Sequence, residues 1–395
     1  MSNPILTGAV LIEANGAALN NAGNAVGQRL DNAVVVKQIK IGRRLYPYVS
    51  GQAWRRWWRE VATEDFGWTP SPVTREAKSA YTDGNPQEFP DDDIFGYMAA
   101  KKATKKAAGK KGKDAKAEET GESQSLFGEA EGANDADVLE AASEEDSEDG
   151  EATGGTQRRV SPLKNSLLVA VVPNTITSDF GHFSRSLPVD NPNMVPFEHE
   201  HYSTPLQGVF TLSLSDVGRF ECGPMRDVDI KTAPSNGAAV AQEASGNLKP
   251  RVLQMPLETR RERATQTLRC LKSLRHGANL TRNLSDVTPS VVLLGFLDGG
   301  NAPFQNLFVP ANGEARESVA LHLPRLESVL TDYAARLLGK NKKLFFGYRP
   351  GVLANETEVL AKLKEGIAGI SFEIGTPLQA IEAAAAVLES DGILN

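Results

Sequence analysis

The sequence is poor in cysteine, and this scarcity limits the kinds of site that it can build. Cys222 and Cys270 are the only cysteines in 395 residues, and they lie far apart, with no spacing typical of zinc ligands. Disulfide scaffolds use many cysteines and an oxidising compartment. The composition therefore predicts a protein of the reducing cytoplasm.

Long apolar runs are also missing. The longest compact run, Ser290–Leu297, is far too short to cross a bilayer and predicts a buried strand instead. The first residues lack the basic and apolar regions of a secretory signal. We therefore expect a protein with no membrane segment.

The motifs of several common enzymes are absent as well. The sequence has no Gly-x-Ser-x-Gly, no Walker lysine loop and no His-Glu-x-x-His. Gly16, Gly23 and Gly27 lack the spacing and the following acidic residue of a dinucleotide-binding fingerprint. These absences favour a binding role, with no catalytic residue, metal or cofactor expected.

The net charge of −7 comes from one part of the chain. Residues 101–157 contain 8 lysines and 15 acidic residues, and the remainder contains 35 of each sign. A neutral body with clustered arginines is able to bind a phosphate chain. The acidic balance of the whole chain therefore does not exclude nucleic acid as a partner.

The same segment, 101–157, has low complexity and few large apolar side chains. It cannot bury enough surface to offset the entropy of ordering, so we expect a disordered insertion. The body is then built from two discontinuous segments, 1–100 and 158–395.

Three of the four tryptophans fall in a single predicted helix after Ser50. At 100° per residue, Trp54, Trp57 and Trp58 lie on one side. The opposite side carries three arginines: Arg55, Arg56 and Arg59. Ser50 stands at the N-cap position, where the first N–H groups of the helix favour an anion. Ser50 and Gln52 are therefore candidate phosphate ligands, although an ordinary amphipathic helix with a solvated arginine face is an equal alternative.

The residues before this helix favour the binding interpretation. Cations alternate there with β-branched residues, which is typical of a strand that follows a nucleic-acid backbone. The candidate ligands are Asn20, Asn21, Asn24, Arg29, Lys37 and Lys40. For the asparagines, a plain turn-rich loop is nearly as good an explanation.

Two acidic clusters raise the question of metal. Asp91, Asp92 and Asp93 are adjacent, and His199 and His201 alternate with glutamates. Neither spacing matches a known calcium or zinc pattern. A helix cap is the better interpretation of the first cluster, and a turn or strand start of the second.

Periodicity elsewhere predicts an α+β fold. The expected strands are Ile5–Ile12, Leu167–Val172, Gln207–Leu214, Ser290–Leu297 and Lys343–Tyr348, and the expected helices are Glu258–His276, Glu317–Leu338, Thr357–Glu365 and Thr376–Leu388. The first of these helices buries Ala264 and Leu268 on one side and ends at Gly277. Its arginines, including Arg260 and Arg263, are expected in solvent or against RNA or a partner subunit.

Several of these motifs together resemble a known family. The segments that carry the resemblance are Asn20–Asn24, Val49–Arg56, Asp92–Met98, Ser161–Leu163 and Phe197–Thr204. They are similar to the DevR-type backbone subunits of type I-B CRISPR Cascade complexes, within the RAMP superfamily.

This resemblance implies an RRM-like (ferredoxin-like) core with large insertions that form fingers or a web and a thumb. The thumb corresponds to 173–204 and carries Phe180, His182, Phe183, Arg185 and Met194. The turn that contains Arg282 is implied to lie near the guide.

The implied function is non-catalytic. Such a subunit polymerises along a guide crRNA, contacts other Cascade subunits, and meets target DNA through guide pairing. Type III relatives offer an alternative, a metal-dependent ribonuclease that uses a thumb-region aspartate, for which Asp31 and Asp179 are the candidates. A DNA-binding regulator is a third class, and no helix-turn-helix pattern supports it.

Overall fold

The computed structural model describes residues 3–24, 33–76, 79–99, 156–173, 176–183, 195–245, 249–311, 318–339, 342–390 and 392–394. The predicted low-complexity insertion 101–157 lies outside the described residues except for its last two positions. Among the described residues, no helix is long and apolar enough to cross a membrane.

The fold is mixed α+β, as the periodicity predicts. The strands are β1 Pro4–Ala17, β2 Asn21–Asn24, β3 Ala33–Val36, β4 Gln38–Ile41, β5 Arg44–Val49, β6 Val73–Glu76, β7 Ser79–Thr82, β8 Tyr97–Ala99, β9 Gln157–Arg159, β10 Leu163–Asn165, β11 Leu168–Ala170, β12 Thr177–Phe183, β13 Val195–Ser213, β14 Arg219–Cys222, β15 Ala239–Gln242, β16 Arg251–Gln254, β17 Val291–Asp298, β18 Phe308–Pro310, β19 Val319–Leu321, β20 Lys343–Tyr348 and β21 Ser371–Gly375. The helices are α1 Gly51–Phe66, α2 Pro90–Phe95, α3 Leu257–Arg269, α4 Leu323–Tyr333, α5 Glu356–Glu365 and α6 Pro377–Ser390.

One 12-stranded sheet organises the body. Its main path runs β21-β20-β17-β1-β13-β11-β5-β4; β10, β12 and β3 also pair with β13, and β2 pairs with β3. At the centre, β1 pairs antiparallel with both β13 and β17. The pairing of β13 with β11 is also antiparallel. The predicted strand at 290–297 is thus confirmed, and it lies next to the first strand of the chain.

Both faces of this sheet are covered, which explains why its central strands are apolar at successive positions. Val10 and Leu294 face a core that also contains α1, α3 and α6. Ala9 and Leu293 face a second core that contains α4 and α5. Because side chains alternate along a strand, neighbouring residues of one strand serve different layers.

Strand β13 is the longest strand that the structure describes, with 19 residues. Its C-terminal part belongs to the central sheet, where Val209 pairs with Ala9. Its N-terminal part forms a hairpin with β12, in which Phe183 pairs with Val195. The predicted thumb segment, 173–204, thus contains an arm that is continuous with the core of the protein.

The helix predicted over Glu258–His276 differs from the structure at its end. The α-helix stops at Arg269, and a 3-10 turn continues to Ser273. Ala264 and Leu268 are buried as expected, whereas Gly277 does not serve as the residue that ends the helix. Leu271 and Leu274 are both buried in the core at this corner.

Candidate nucleic-acid interface

Helix α1 is fixed to the sheet by its indoles. Trp54 and Trp58 are completely buried, with ring centroids 4.9 Å apart, and Trp58 meets the edge of Phe210 at 5.3 Å. The Trp58 Nε1–H donates to the Thr267 carbonyl at 2.8 Å. Gly208 permits this close approach, because a Cβ there would lie 3.0 Å from the Trp54 ring. Each indole removes roughly 200 Å² from water, which makes the helix a rigid support.

The N-terminus of α1 is capped as predicted. Ser50 has extended backbone angles, and its Oγ accepts from the Ala53 N–H at 3.2 Å. The Ser50 N–H in turn donates to Asn20 Oδ1 at 2.9 Å. Asn20 therefore positions the cap, so one of the predicted polar ligands acts within the protein.

Several other predicted ligands lie around this cap. The Lys37 N–H donates to the Asn20 carbonyl, and the Lys37 carbonyl accepts from the Tyr48 N–H. Gln52 is exposed in the first turn of α1. Lys40 is exposed on β4, at the edge of the sheet. The structure thus brings Asn20, Lys37, Ser50 and Gln52 together, with Lys40 further along the same β-hairpin.

The three arginines of α1, predicted as one face, have three different environments. Arg55 donates from Nε and Nη2 to Asn165 Oδ1, at 3.1 and 3.0 Å. Arg56 is exposed and pairs with Glu60 one turn later. Arg59 lies over the Phe95 ring at 4.8 Å, and its Nε is buried without a hydrogen-bond partner among the described residues.

Burial lowers the pKa of Arg55 from its ordinary value, and the neighbouring charge of Arg59 lowers it further. Both causes disfavour the cation, and among the described residues no carboxylate lies within ion-pairing distance of Arg55. An anion that approached α1 would relieve this cost.

A second group of polar residues lies at the base of the β12–β13 hairpin. A cavity of about 240 Å³ is lined there by Ala18, Asp179, His199, Asn279, Arg282 and Asn283, among others. Arg282 Nη1 contacts His199 Nε2, and the Arg282 guanidinium lies 5.9 Å from the centre of the Phe197 ring. Asn279 adopts a left-handed conformation with φ of 59° and donates to Asn21 Oδ1 at 3.5 Å. Arg282 and Asn21 thus border the same surface as the α1 cap.

Burial lowers the pKa of His199, and so does the charge of Arg282, whereas Asp179 acts in the opposite direction. The net effect keeps the imidazole neutral at pH 7. Neutral Nε2 is able to accept from Arg282, which holds the turn at 277–283 against the hairpin.

Not all predicted ligands can be placed. Arg29 and Asp31 lie outside the described residues, as do Arg185 and Met194 of the predicted thumb. Asn24 and Phe183 belong to β2 and β12, but their side chains lie outside the described part. Phe180 is 64% exposed on β12, and His182 is exposed two residues later.

The expectation of a solvated or RNA-facing position was wrong for Arg260 and Arg263 of α3. Arg260 and Arg263 are 3% and 5% exposed. Arg260 donates to the carbonyls of Val217 and Leu214, and Arg263 pairs with Asp93 at 2.6 Å. These residues are in the interior because loop carbonyls and one buried carboxylate satisfy their donors there.

The aspartate triplet also has a structural role. Asp93 is completely buried and pairs with Arg159 as well as with Arg263. Asp91 accepts from the Ser71 N–H, and burial raises its pKa. Among the described residues, no group of three His, Cys, Asp or Glu side chains is arranged to hold a metal. The triplet therefore connects α2 to β9 and α3.

Sequence reasoning missed two side chains of this region. Asn165 ends β10 and holds Arg55, although it lies 110 positions from it in the chain. Asn279 joins the turn before β17 to Asn21. Only the three-dimensional pairing reveals either contact, because neither asparagine lies in a recognisable motif.

The fold and this surface define an α+β protein with one large mixed sheet, a hairpin arm, and a capped helix whose Arg55 has no carboxylate partner among the described residues. Comparison with known families then identifies it. Residues 8–307 match the model of the CRISPR-associated negative auto-regulator DevR/Csa2, and the chain belongs to this family. The matched segment contains every residue of the candidate interface.

Comparison with the curated proteins gives no match. Among solved structures, the chain is similar to a chain of a CRISPR RNA-guided surveillance complex, with 11% identity and a TM-score of 0.43. The alignment covers 97% of this chain and 99% of that one. A second match, from a pre-nicking surveillance complex, has 12% identity and a TM-score of 0.46, and covers 97% and 100%.

Proposed function

We propose that this protein is a non-catalytic crRNA-binding backbone subunit of a type I CRISPR Cascade complex. Copies of it polymerise along the guide RNA, contact other Cascade subunits, and support recognition of target DNA through guide pairing. Membership of the DevR/Csa2 family supports the CRISPR assignment. The observation that carries the RNA-binding role is the half-buried Arg55, which has no carboxylate partner among the described residues and lies beside a capped helix N-terminus.

A guide varies in sequence, so a backbone subunit must bind phosphate and ribose without reading bases. Arginine, backbone N–H groups and a helix N-terminus all bind phosphate. We assign this contact to Asn21, Lys37, Lys40, Gln52 and Arg55. Arg282 extends the same surface to the base of the hairpin.

We further propose that the core is RRM-like. This is supported by the strand order β17-β1-β13-β11, with all three pairings antiparallel. Helix α1 lies between β1 and β11 in the chain, and α3 lies between β13 and β17. Both helices pack on the same face of the sheet, which is the arrangement of a βαββαβ unit. The β12–β13 hairpin is then the thumb, and it carries Phe180 and His182.

The test is copurification with RNA. The full chain is expressed with its neighbouring operon genes and a repeat-spacer array, and the bound RNA is extracted and sized. We expect a discrete crRNA with several protein copies per guide. The variant Arg55→Gln with Lys37→Gln should lose most of this RNA.

Charge reversal is a poor choice for Arg55 and Arg59, because both guanidiniums are partly buried and a carboxylate there would disturb the fold. Arg336→Gln is the matched control. Arg336 is exposed beside α4, which packs on the opposite face of the sheet. Equal RNA loss in this control and in the Arg55 and Lys37 variant would contradict the proposal.

The ribonuclease alternative makes a separate prediction. Metal-dependent cleavage of target RNA that is lost in Asp179→Ala would replace the non-catalytic assignment. Retention of intact RNA by both wild-type protein and Asp179→Ala would support the assignment.

A further inference from the structure

Asn165 occupies an unusual position, because one amide group joins two parts of the candidate interface. Its Oδ1 accepts two hydrogen bonds from Arg55, from Nε and from Nη2. Its Nδ2 donates to the Gly51 carbonyl at 2.9 Å and to the Ser166 carbonyl at 3.1 Å. A primary amide accepts two and donates two hydrogen bonds, so the capacity of this side chain is fully used.

These contacts fix the position of Arg55 relative to the N-terminus of α1. Gly51 is the first residue of the helix, and Arg55 lies four residues later. The amide therefore orients the guanidinium by its Nε and Nη2 edge. Nη1 is not engaged by Asn165, and it is left for a further acceptor.

The side-chain partner of Arg55 is a neutral amide, whereas several other arginines that this structure holds in place have a carboxylate partner. Arg159 and Arg263 pair with Asp93, and Arg275 pairs with Glu64 and Asp65. In each of those pairs a carboxylate neutralises the cation. Asn165 is neutral, so it orients the Arg55 guanidinium and leaves its full positive charge available.

We propose that Asn165 is a positioning residue, which presents the charged Arg55 guanidinium to an RNA phosphate at the N-terminus of α1. The inference rests on the RNA-binding function proposed above. In this role, the side chain at position 165 must bind Arg55 without neutralising its charge, whereas packing alone does not require a neutral side chain.

Two substitutions separate positioning from charge. In Asn165→Asp, the carboxylate still accepts from Arg55 and holds it more strongly, but it neutralises the cation. In Asn165→Ala, Arg55 keeps its charge and loses its fixed orientation. Aspartate also replaces the Nδ2 donor with an oxygen that faces the Gly51 and Ser166 carbonyls, so both substitutions should lower stability. A purely structural role would therefore leave the salt dependence of RNA binding unchanged in both variants. The positioning role makes aspartate the more harmful change for RNA binding.

The experiment measures the affinity of the purified full chain for fluorescein-labelled polyuridine RNA over a series of salt concentrations. We expect Asn165→Asp to weaken binding about tenfold at low salt, the equivalent of one charge-assisted hydrogen bond. The slope of log affinity against log salt should fall by about 0.7, which corresponds to one phosphate contact on a single strand. Asn165→Ala should bind between wild type and Asn165→Asp, with a slope close to that of wild type.

Arg55→Gln provides the reference, and Asn165→Asp should add little to it in the double variant. The proposal is overturned if Arg55→Gln lowers the salt slope while Asn165→Asp leaves it unchanged, and in that case the RNA-binding function stands. If the wild-type chain does not bind the RNA at all, the proposed function and this inference fail together. Thermal unfolding of each variant, measured in parallel, shows whether a loss of binding reflects a loss of folded protein.

Discussion

Strands β8 and β9 enclose the long insertion, and their pairing makes a quantitative prediction about its removal. Ala99 pairs with Gln157 at the end of a short antiparallel ladder. Directly opposed residues of such a ladder are about 5 Å apart. A turn of four residues is therefore long enough to connect the two strands. The buried ion pair between Asp93 and Arg159 also stabilises the position of β9.

The perturbation replaces residues 100–155 with three turn residues, so that these and Thr156 connect Ala99 with Gln157. The connection becomes roughly fourteen times shorter, which is close to four halvings of its length. Each halving of a flexible loop lowers the entropic cost of closure by about 0.6 kcal/mol. The free energy of unfolding should therefore rise by about 2 kcal/mol, and Tm by about 3 °C.

Thermal unfolding followed by circular dichroism measures this shift, and copurified RNA reports on function. A second variant, in which 100–155 becomes a Gly/Ser linker of equal length, should have the Tm of wild type. This control separates the length of the insertion from its sequence. Loss of the folded state or of RNA in the shortened variant would refute the reasoning, because it would make the insertion part of the body.

Three further predictions concern single side chains. Asp93→Asn should lower the free energy of unfolding by about 3–5 kcal/mol, because it leaves the buried Arg263 guanidinium without an anion and leaves Arg159 with Asp227 alone. The exposed control Asp229→Asn should change it by less than about 0.5 kcal/mol in urea unfolding. The pKa of His199 is lowered from 6.5 by burial and by Arg282, so the free energy of unfolding should fall as the pH falls below 6.5. Because glutamine does not titrate, His199→Gln should reduce this loss. Unfolding measured at pH 7 and at pH 5 tests the prediction. Ser50→Ala should cost about 1 kcal/mol of stability through the lost N-cap, and Ser50→Asp, which restores the cap acceptor, should recover it.

Each of these three predictions has an outcome that contradicts it. Equal effects of the two aspartate variants would show that the buried network is not important for stability. An unchanged pH dependence in His199→Gln would assign the titration to other groups. Failure of Ser50→Asp to restore stability would mean that the Ser50 hydroxyl acts through something other than the cap.

The sequence predicted the elements that follow from local patterns. The capped tryptophan helix, the apolar strand before residue 298 and the two last helices all have strong periodicity or a clear N-terminal signal, and the structure contains them. The hairpin of β6 and β7 was not predicted, since its strands are short and partly polar.

The side chains whose environments the sequence did not predict are those that contact residues distant in the chain. Arg260 and Arg263 look like members of a solvated stripe, because helical periodicity shows which residues share a side and not what covers that side. The carbonyls that receive Arg260 come from the turn after β13, more than 40 positions away. The same limit applies to Arg55 on α1, whose neutral partner Asn165 lies on β10.

The length of β13 has a mechanical consequence. At about 3.3 Å per residue, its 19 residues span roughly 60 Å, and they run without interruption from the hairpin arm into the middle of the sheet. An arm built in this way has no interdomain linker at which to pivot. The arm is anchored at one end only, in the central sheet, so its free end can move only if the strand itself bends and twists. The register shift between Ala14 and Ala17, on the strand paired with it, interrupts the regular ladder next to the base of this arm.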